Sequence, residues 1–135
     1  MNDVEAAVTD THALLYHAAA SPKLGRKAAG HFTRAEQGRA LVYVPAAVIW
    51  EVGLLARGGR FNLRRSVRDF FGDVFSNPAY HPYDLSPAQI FDADELGIHR
   101  DPFDALICAA ARELGLPLMT RDADIQGSGA VRVLW

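Results

Sequence analysis

Cysteine is nearly absent from this chain: Cys108 is the only one in 135 residues. An internal disulfide framework and a cysteine-based zinc site are thereby excluded. The five histidines show no His-Glu-x-x-His spacing, which removes that zinc-protease pattern as well. Lysine is scarce too, occurring only at 23 and 27 against twelve arginines. Long apolar runs are missing. The longest, Ala40 to Trp50, has 11 residues and contains Pro45, against roughly 18 needed to span a bilayer. No membrane segment is expected. Asp3 and Glu5 stand where a secretory leader carries positive charge, so the expected compartment is the cytoplasm.

What is present reads as one globular domain over residues 1–135: half the residues are apolar and 22% are charged. Charge is unevenly placed. Residues 1–68 hold ten Lys/Arg against five Asp/Glu, and residues 69–135 hold four against eleven. Arginine offers a planar fork suited to phosphate. A basic half beside an acidic half suits a polyanion held next to a cation site, although a merely biased surface would show the same asymmetry.

Strand and helix signals alternate. Ala6–Thr9 is a short strand signal ending at Asp10, and His12–Ala20 reads as helix. Ser21-Pro22 is a helix start, predicting a helix through Leu24, Phe32 and Ala35 to Gly38. Leu41–Val44 is a strand closed by Pro45. A helix follows through Val48 and Leu55 to the Gly58-Gly59 stop. Leu63–Phe75 has apolar residues at three and four, Tyr80–Leu85 is a short strand, and Ser86-Pro87 opens a helix to Leu96. Phe103–Leu114 is a strongly apolar helix, and Leu116–Thr120 and Val131–Trp135 are strands. The alternation predicts a three-layer α/β/α sandwich around a central, mainly parallel sheet. Ligands bind such sheets at the carboxyl ends of the strands.

Four acids occupy positions a purely structural sequence would not choose. Asp10 follows the first strand, Asp104 opens the apolar helix, and Asp122 follows the strand ending at Thr120. Taken singly, these three also suit helix capping, first-turn or turn roles. Glu51 lies between Trp50 and Val52, in a helix whose apolar residues leave little exposed face. A buried unpaired carboxylate costs several kcal/mol or shifts its pKa upward. A hard divalent cation relieves several such groups at once, because Mg²⁺ and Mn²⁺ favour oxygen ligands. Such sites hold few protein oxygens together with water and substrate phosphate, which points to phosphoryl chemistry.

The segments Val8-Thr9-Asp10-Thr11-His12-Ala13-Leu14-Leu15, Val48-Ile49-Trp50-Glu51-Val52, His99-Arg100-Asp101-Pro102-Phe103-Asp104-Ala105-Leu106-Ile107 and Leu118-Met119-Thr120-Arg121-Asp122 occur in this order. Together they resemble PIN-domain ribonucleases, and among these the VapC-type toxins of bacterial type II toxin–antitoxin modules. The resemblance runs from Val8 to Trp135. It implies a Mg²⁺- or Mn²⁺-dependent endoribonuclease that leaves 5′-phosphate and 3′-hydroxyl ends. Asp10, Glu51, Asp104 and Asp122 match the catalytic and metal-binding acids, with Asp101 a further ligand or a phosphate-side residue. Thr11 and Thr120 match hydroxyl positions beside the site. Asp124 offers a second acid near Asp122, but the family pattern places the acid two residues after the threonine. Tyr16-His17 departs from the pattern, since many relatives carry tryptophan there.

The resemblance also implies an RNA substrate, a cognate antitoxin protein and a homodimer. Amphipathic helices between Pro22 and Phe75 are the expected antitoxin groove. Arg57, Arg60, Arg64, Arg65 and Arg68 are the expected phosphate cradle, and Lys23, Arg26 and Lys27 a second patch. The spacing of Phe61, Phe70, Phe71 and Phe75 favours core over base stacking. His12 is expected on a helix surface or in packing, and Cys108 in inert core. A PIN nuclease of RNA processing without toxicity, or a catalytically silent PIN-fold binding module, remains an alternative. A receiver-type phosphoacceptor domain is not supported, because Val44 leads into Pro45 and no late lysine exists.

Overall fold

Strand β1 (Glu5–Thr9) lies inside the sheet, and its sequence says why: Ala7, Val8 and Thr9 are fully buried, as befits a parallel strand covered on both faces. The computed structural model describes residues 4–97 and 101–135. Asp3 and the His99-Arg100 start of the third motif segment lie outside these. In chain order follow α1 (Thr11–Ala18), α2 (Arg26–Glu36), β2 (Ala40–Pro45), α3 (Ala46–Arg57), α4 (Val67–Ser76), β3 (Tyr80–Tyr83), α5 (Pro87–Leu96), α6 (Pro102–Leu114), β4 (Leu118–Met119) and α7 (Ala123–Ser128). The four strands run parallel in the order β3-β2-β1-β4. Helices cover the sheet to give the expected three-layer sandwich. Phe32, Leu14, Leu15, Ile107, Leu118 and Met119 fill one continuous core.

Several boundaries differ from the sequence expectation. Ser21-Pro22 forms a turn, in which the Ser21 hydroxyl accepts from the Lys23 N–H at 3.2 Å. Helix α2 begins only after Gly25. A side chain at Gly25 would meet the Trp135 indole at 2.6 Å, so the glycine makes room for that ring. The Trp135 carbonyl in turn accepts from the Lys27 N–H at 2.7 Å, occupying a donor of the first helical turn. The expected helix from Leu63 starts instead at Val67. Ser66 caps it through the Asp69 N–H, and the preceding turn holds Arg64 at φ 61°. The expected strand Val131–Trp135 is a single bridge, Val133 beside Leu118. Strand β4 is shorter than Leu116–Thr120, and β3 stops at Tyr83 rather than Leu85. Helix α7 has no periodicity that predicts it, because its Ala-Asp-Ile-Gln-Gly-Ser sequence carries one buried residue, Ile125.

Candidate active site

Three of the four expected acids sit where an element begins or ends at the carboxyl edge of the sheet. Asp10 follows β1 and caps α1, its Oδ1 accepting from the Ala13 N–H at 2.8 Å. Asp122 lies beyond β4 and caps α7, accepting from the Ile125 N–H at 2.9 Å. Asp101 caps α6, accepting from the Phe103 N–H at 2.9 Å, with Pro102 in the first turn. Asp104 lies in that same turn. The capping roles and the site roles thus belong to the same side chains, since a cap uses only part of a carboxylate's four acceptor positions.

Glu51 reaches the site from the middle of α3. The dry helix expected around it is not observed: Trp50 is 63% exposed and Leu54 41% exposed. Trp50 lies edge-on to Phe103, with ring centres 5.5 Å apart. Glu51 itself is half-buried and accepts a hydrogen bond from the Thr11 hydroxyl. The cost at its carboxylate therefore comes from its own burial and, after that, from the charge of Asp101, not from an all-apolar helix.

Asp10, Glu51, Asp101, Asp104 and Asp122 line one cleft of about 290 Å³, with His12 and Arg121. Burial raises the Asp10 carboxyl to about 6, against the lowering effects of the Ala13 N–H, the Thr120 hydroxyl and His12, and Glu51 adds a further upward push. Burial also raises Glu51, and the charge of Asp101 adds to it. Asp104 is pushed up to about 7, first by burial and then by Asp101, Asp122, Glu51 and Asp10 in turn. A group of like charges sharing one cleft disfavours full ionisation. Burial and the same carboxylates push the Cys108 thiol to about 12, so it is inert.

The donor set fits a hard divalent cation: it is all carboxylate and hydroxyl oxygen, and it carries uncompensated negative charge. Among the described residues, no three His, Cys, Asp or Glu side chains already gather as a ligand set. Mg²⁺ needs only one or two carboxylates beside water and phosphate, so the donor chemistry is compatible.

The basic residues divide. A groove adjoining the cleft shares His12, Glu51 and Asp101 with it and continues past Tyr16, Lys23, Arg60 and Phe61. Arg64 and Arg65 line a further hollow beyond Phe61. Arg65 is paired with Asp73 and lies 5.5 Å over the Phe70 ring. Arg60, Arg64, Arg65 and Lys23 line these hollows, and Arg57, Arg68, Arg26 and Lys27 do not. Phe70 and Phe71 are buried core, as their spacing predicts. His12 is on the helix surface, as expected, but it faces the cleft. The sequence reading missed Arg121. Its signal was the position between Thr120 and Asp122, both already singled out.

The PIN domain family model matches residues 7–127. The chain is a PIN-domain protein. Compared by sequence with curated proteins, it has no significant match. Among solved structures, this PIN domain is similar to a chain of VapBC2 from Rickettsia felis, solved bound to a DNA fragment from its promoter. The identity is 15% and the TM-score 0.66, with 95% of this chain and 96% of that chain covered. FitAcB from Neisseria gonorrhoeae gives 16% identity and a TM-score of 0.63, covering 96% of both chains. VapC20 of Mycobacterium tuberculosis, described as a toxin that cleaves the sarcin-ricin loop, gives 19% and 0.59, covering 96% of this chain and 99% of that one. These likenesses establish the fold.

No helix of the described residues is long and apolar enough to cross a membrane.

Proposed function

We propose that this PIN domain is a Mg²⁺- or Mn²⁺-dependent endoribonuclease, acting in the cytoplasm as the toxin of a type II toxin–antitoxin module. The observation that carries the reading is the cleft in which Asp104 is raised to about 7 by burial and by four neighbouring carboxylates. Burying that much like charge without a use for it would be selected against, and perturbed groups cluster at functional sites.

Asp10, Glu51, Asp104 and Asp122 would hold the cation, with Asp101 beside them. A bound divalent ion supplies charge neutralisation at phosphate and lowers the pKa of water. The chain's own residues do the rest. The α1, α6 and α7 N-terminal N–H groups hold Asp10, Asp101 and Asp122 in fixed orientation. The Thr11 hydroxyl fixes Glu51, and the Thr120 hydroxyl faces Asp10. The raised Asp104 carboxyl belongs to the metal-free cleft; with a cation bound it would be held ionised, and one carboxylate of the set would orient or deprotonate the attacking water. Arg60, Arg64 and Arg65 are proposed to steer phosphates toward a cleft that otherwise repels them.

The VapBC complexes among the structural neighbours support an antitoxin partner. The groove past Tyr16, Leu55 and Phe61 joins the acidic cleft and would accept an apolar antitoxin segment ending in a basic side chain. Exposed Leu85, Ile90 and Phe91 support a homodimer. The 135 residues are proposed to work as one domain.

The test is cleavage of total RNA by purified, antitoxin-free protein in Mg²⁺, in Mn²⁺ and in chelator. An Asp10→Asn, Asp104→Asn double variant runs beside it. Metal-dependent cutting that the variant lacks is the expected result. Folded, metal-loaded protein that cuts no RNA would replace this reading with that of a silent binding module.

A further inference from the structure

Arg121 stands at the acidic cleft and yet makes no ion pair among the described residues, although five carboxylates line the same cleft. Its guanidinium carbon lies instead 5.1 Å over the ring of Tyr16. Tyr16 is buried, 8% exposed, so its ring is a fixed platform rather than a mobile neighbour. The His12 ring flanks the same tyrosine at 6.0 Å, tilted by 52°.

A guanidinium laid on an aromatic face spends one face on the ring and keeps its edge N–H groups available. Those donors match the oxygens of a phosphate, and a stacked fork loses less freedom on binding than a lysine would. Tyr16 also lines the groove that holds Lys23 and Arg60. An RNA strand entering the cleft along that groove would therefore meet Lys23 and Arg60 as well as Arg121.

We propose that Arg121 is the phosphate anchor of the cleft. It grips a backbone phosphate next to the one presented to the carboxylates, and Tyr16 is the positioning residue that aims it. The substrate class, RNA, rests on the nuclease reading above.

The anchor is tested by fluorescence anisotropy with a labelled, mixed-sequence 12-nucleotide single-stranded RNA, with Ca²⁺ as the only divalent ion and across a salt series. Cleavage in Mn²⁺ is measured separately. Arg121 is exposed, so Arg121→Gln should leave the melting temperature unchanged. Its RNA affinity should fall roughly 10-fold or more. The slope of log affinity against log salt should shrink by about 0.7, the value of one phosphate contact on a single strand. Arg121→Lys should keep the slope and recover only part of the affinity. Tyr16→Phe, which keeps the ring, should match wild type, whereas Tyr16→Leu should weaken binding several-fold. In cleavage, Arg121→Gln should raise KM more than it lowers kcat.

Wild-type affinity and slope in Arg121→Gln would overturn the anchor, whether or not the protein cuts RNA. A wild type that fails to cut while Arg121→Gln still binds more weakly would overturn the nuclease reading and leave the anchor standing. A wild type that binds no RNA would overturn both.

Discussion

Glu36 and Asp104 are both carboxylates held against the body of the fold, and their surroundings push them in opposite directions. Glu36, at the end of α2, accepts from His17 at 3.0 Å, from the Tyr80 hydroxyl at 2.8 Å and from the Asn77 amide at 3.1 Å. These partners, His17 foremost, hold its pKa below the ordinary value. His17 also stacks on Phe32, ring centres 4.3 Å apart. The network ties α1, α2 and the start of β3 together. Asp104 has the reverse environment, with burial and four like charges lifting it to about 7. One carboxylate is satisfied from within the chain and serves the fold. The other lacks such partners, and carboxylates perturbed in this way cluster at functional sites.

The sharpest way to break this contrast is to neutralise each side in turn. Asp10→Asn with Asp104→Asn should cut RNA cleavage by about 10²–10⁴-fold or more. The same substitutions should not weaken the metal-free fold. Asp104→Asn alone should stabilise it by about 1 kcal/mol in urea unfolding, once solvent screening of this partly exposed group is allowed for. Loss of stability in Asp104→Asn would put it in the class of Glu36.

Glu36→Ala is the mirror experiment. It should cost about 1–2 kcal/mol of stability through lost hydrogen bonds and leave cleavage per folded molecule unchanged.

The two carboxylates should also give opposite pH dependence. Asp104 and Asp10, with folded pKa values of about 7 and about 6 against 3.8, favour folding fully below pH 3.8. That contribution is lost as pH rises through the folded values, so metal-free stability should decline between about pH 4 and pH 7. Glu36 contributes above its ordinary 4.5 and loses that contribution as pH falls through its lowered folded value. Urea midpoints across pH would show the decline flattened in Asp104→Asn and the acid loss reduced in Glu36→Ala.

The smallest expected effect is at the hydroxyls. Thr11→Val removes the hydrogen bond to Glu51 and should lower kcat by a few-fold, roughly the worth of one hydrogen bond to a charged group. A double Thr11→Val, Glu51→Gln variant should show less than the product of the two single effects, because the pair acts together.

Much of this arrangement was legible in the sequence, for specific reasons. Asp10 and Asp122 were visible because an acid just after a strand is local chemistry, and Asp104 because it opens an apolar helix; Asp101 came only with the motif resemblance. The sandwich was visible because β1 and β2 are dense in buried apolar residues and the helices between them carry start and stop signals. What was hidden depends on distant parts of the chain. The late start of α2 follows from Trp135 packing on Gly25, far apart in sequence. The single bridge at Val133 reflects pairing that no local pattern records. Trp50 reads as core by composition, and only the packing of α3 leaves it exposed. Arg121 gained meaning only from Tyr16, which sits over a hundred residues away.

On the proposed reading, the cleft's electrostatic cost is relieved by a divalent cation. Titrating Mn²⁺ into the metal-free protein at pH 7, by calorimetry and by thermal unfolding on the same sample, tests it most directly. Saturable binding that raises the melting temperature, and that the Asp10→Asn, Asp104→Asn variant loses, is the expected result. Wild type and variant taking up Mn²⁺ alike, or neither binding it, would contradict the claim.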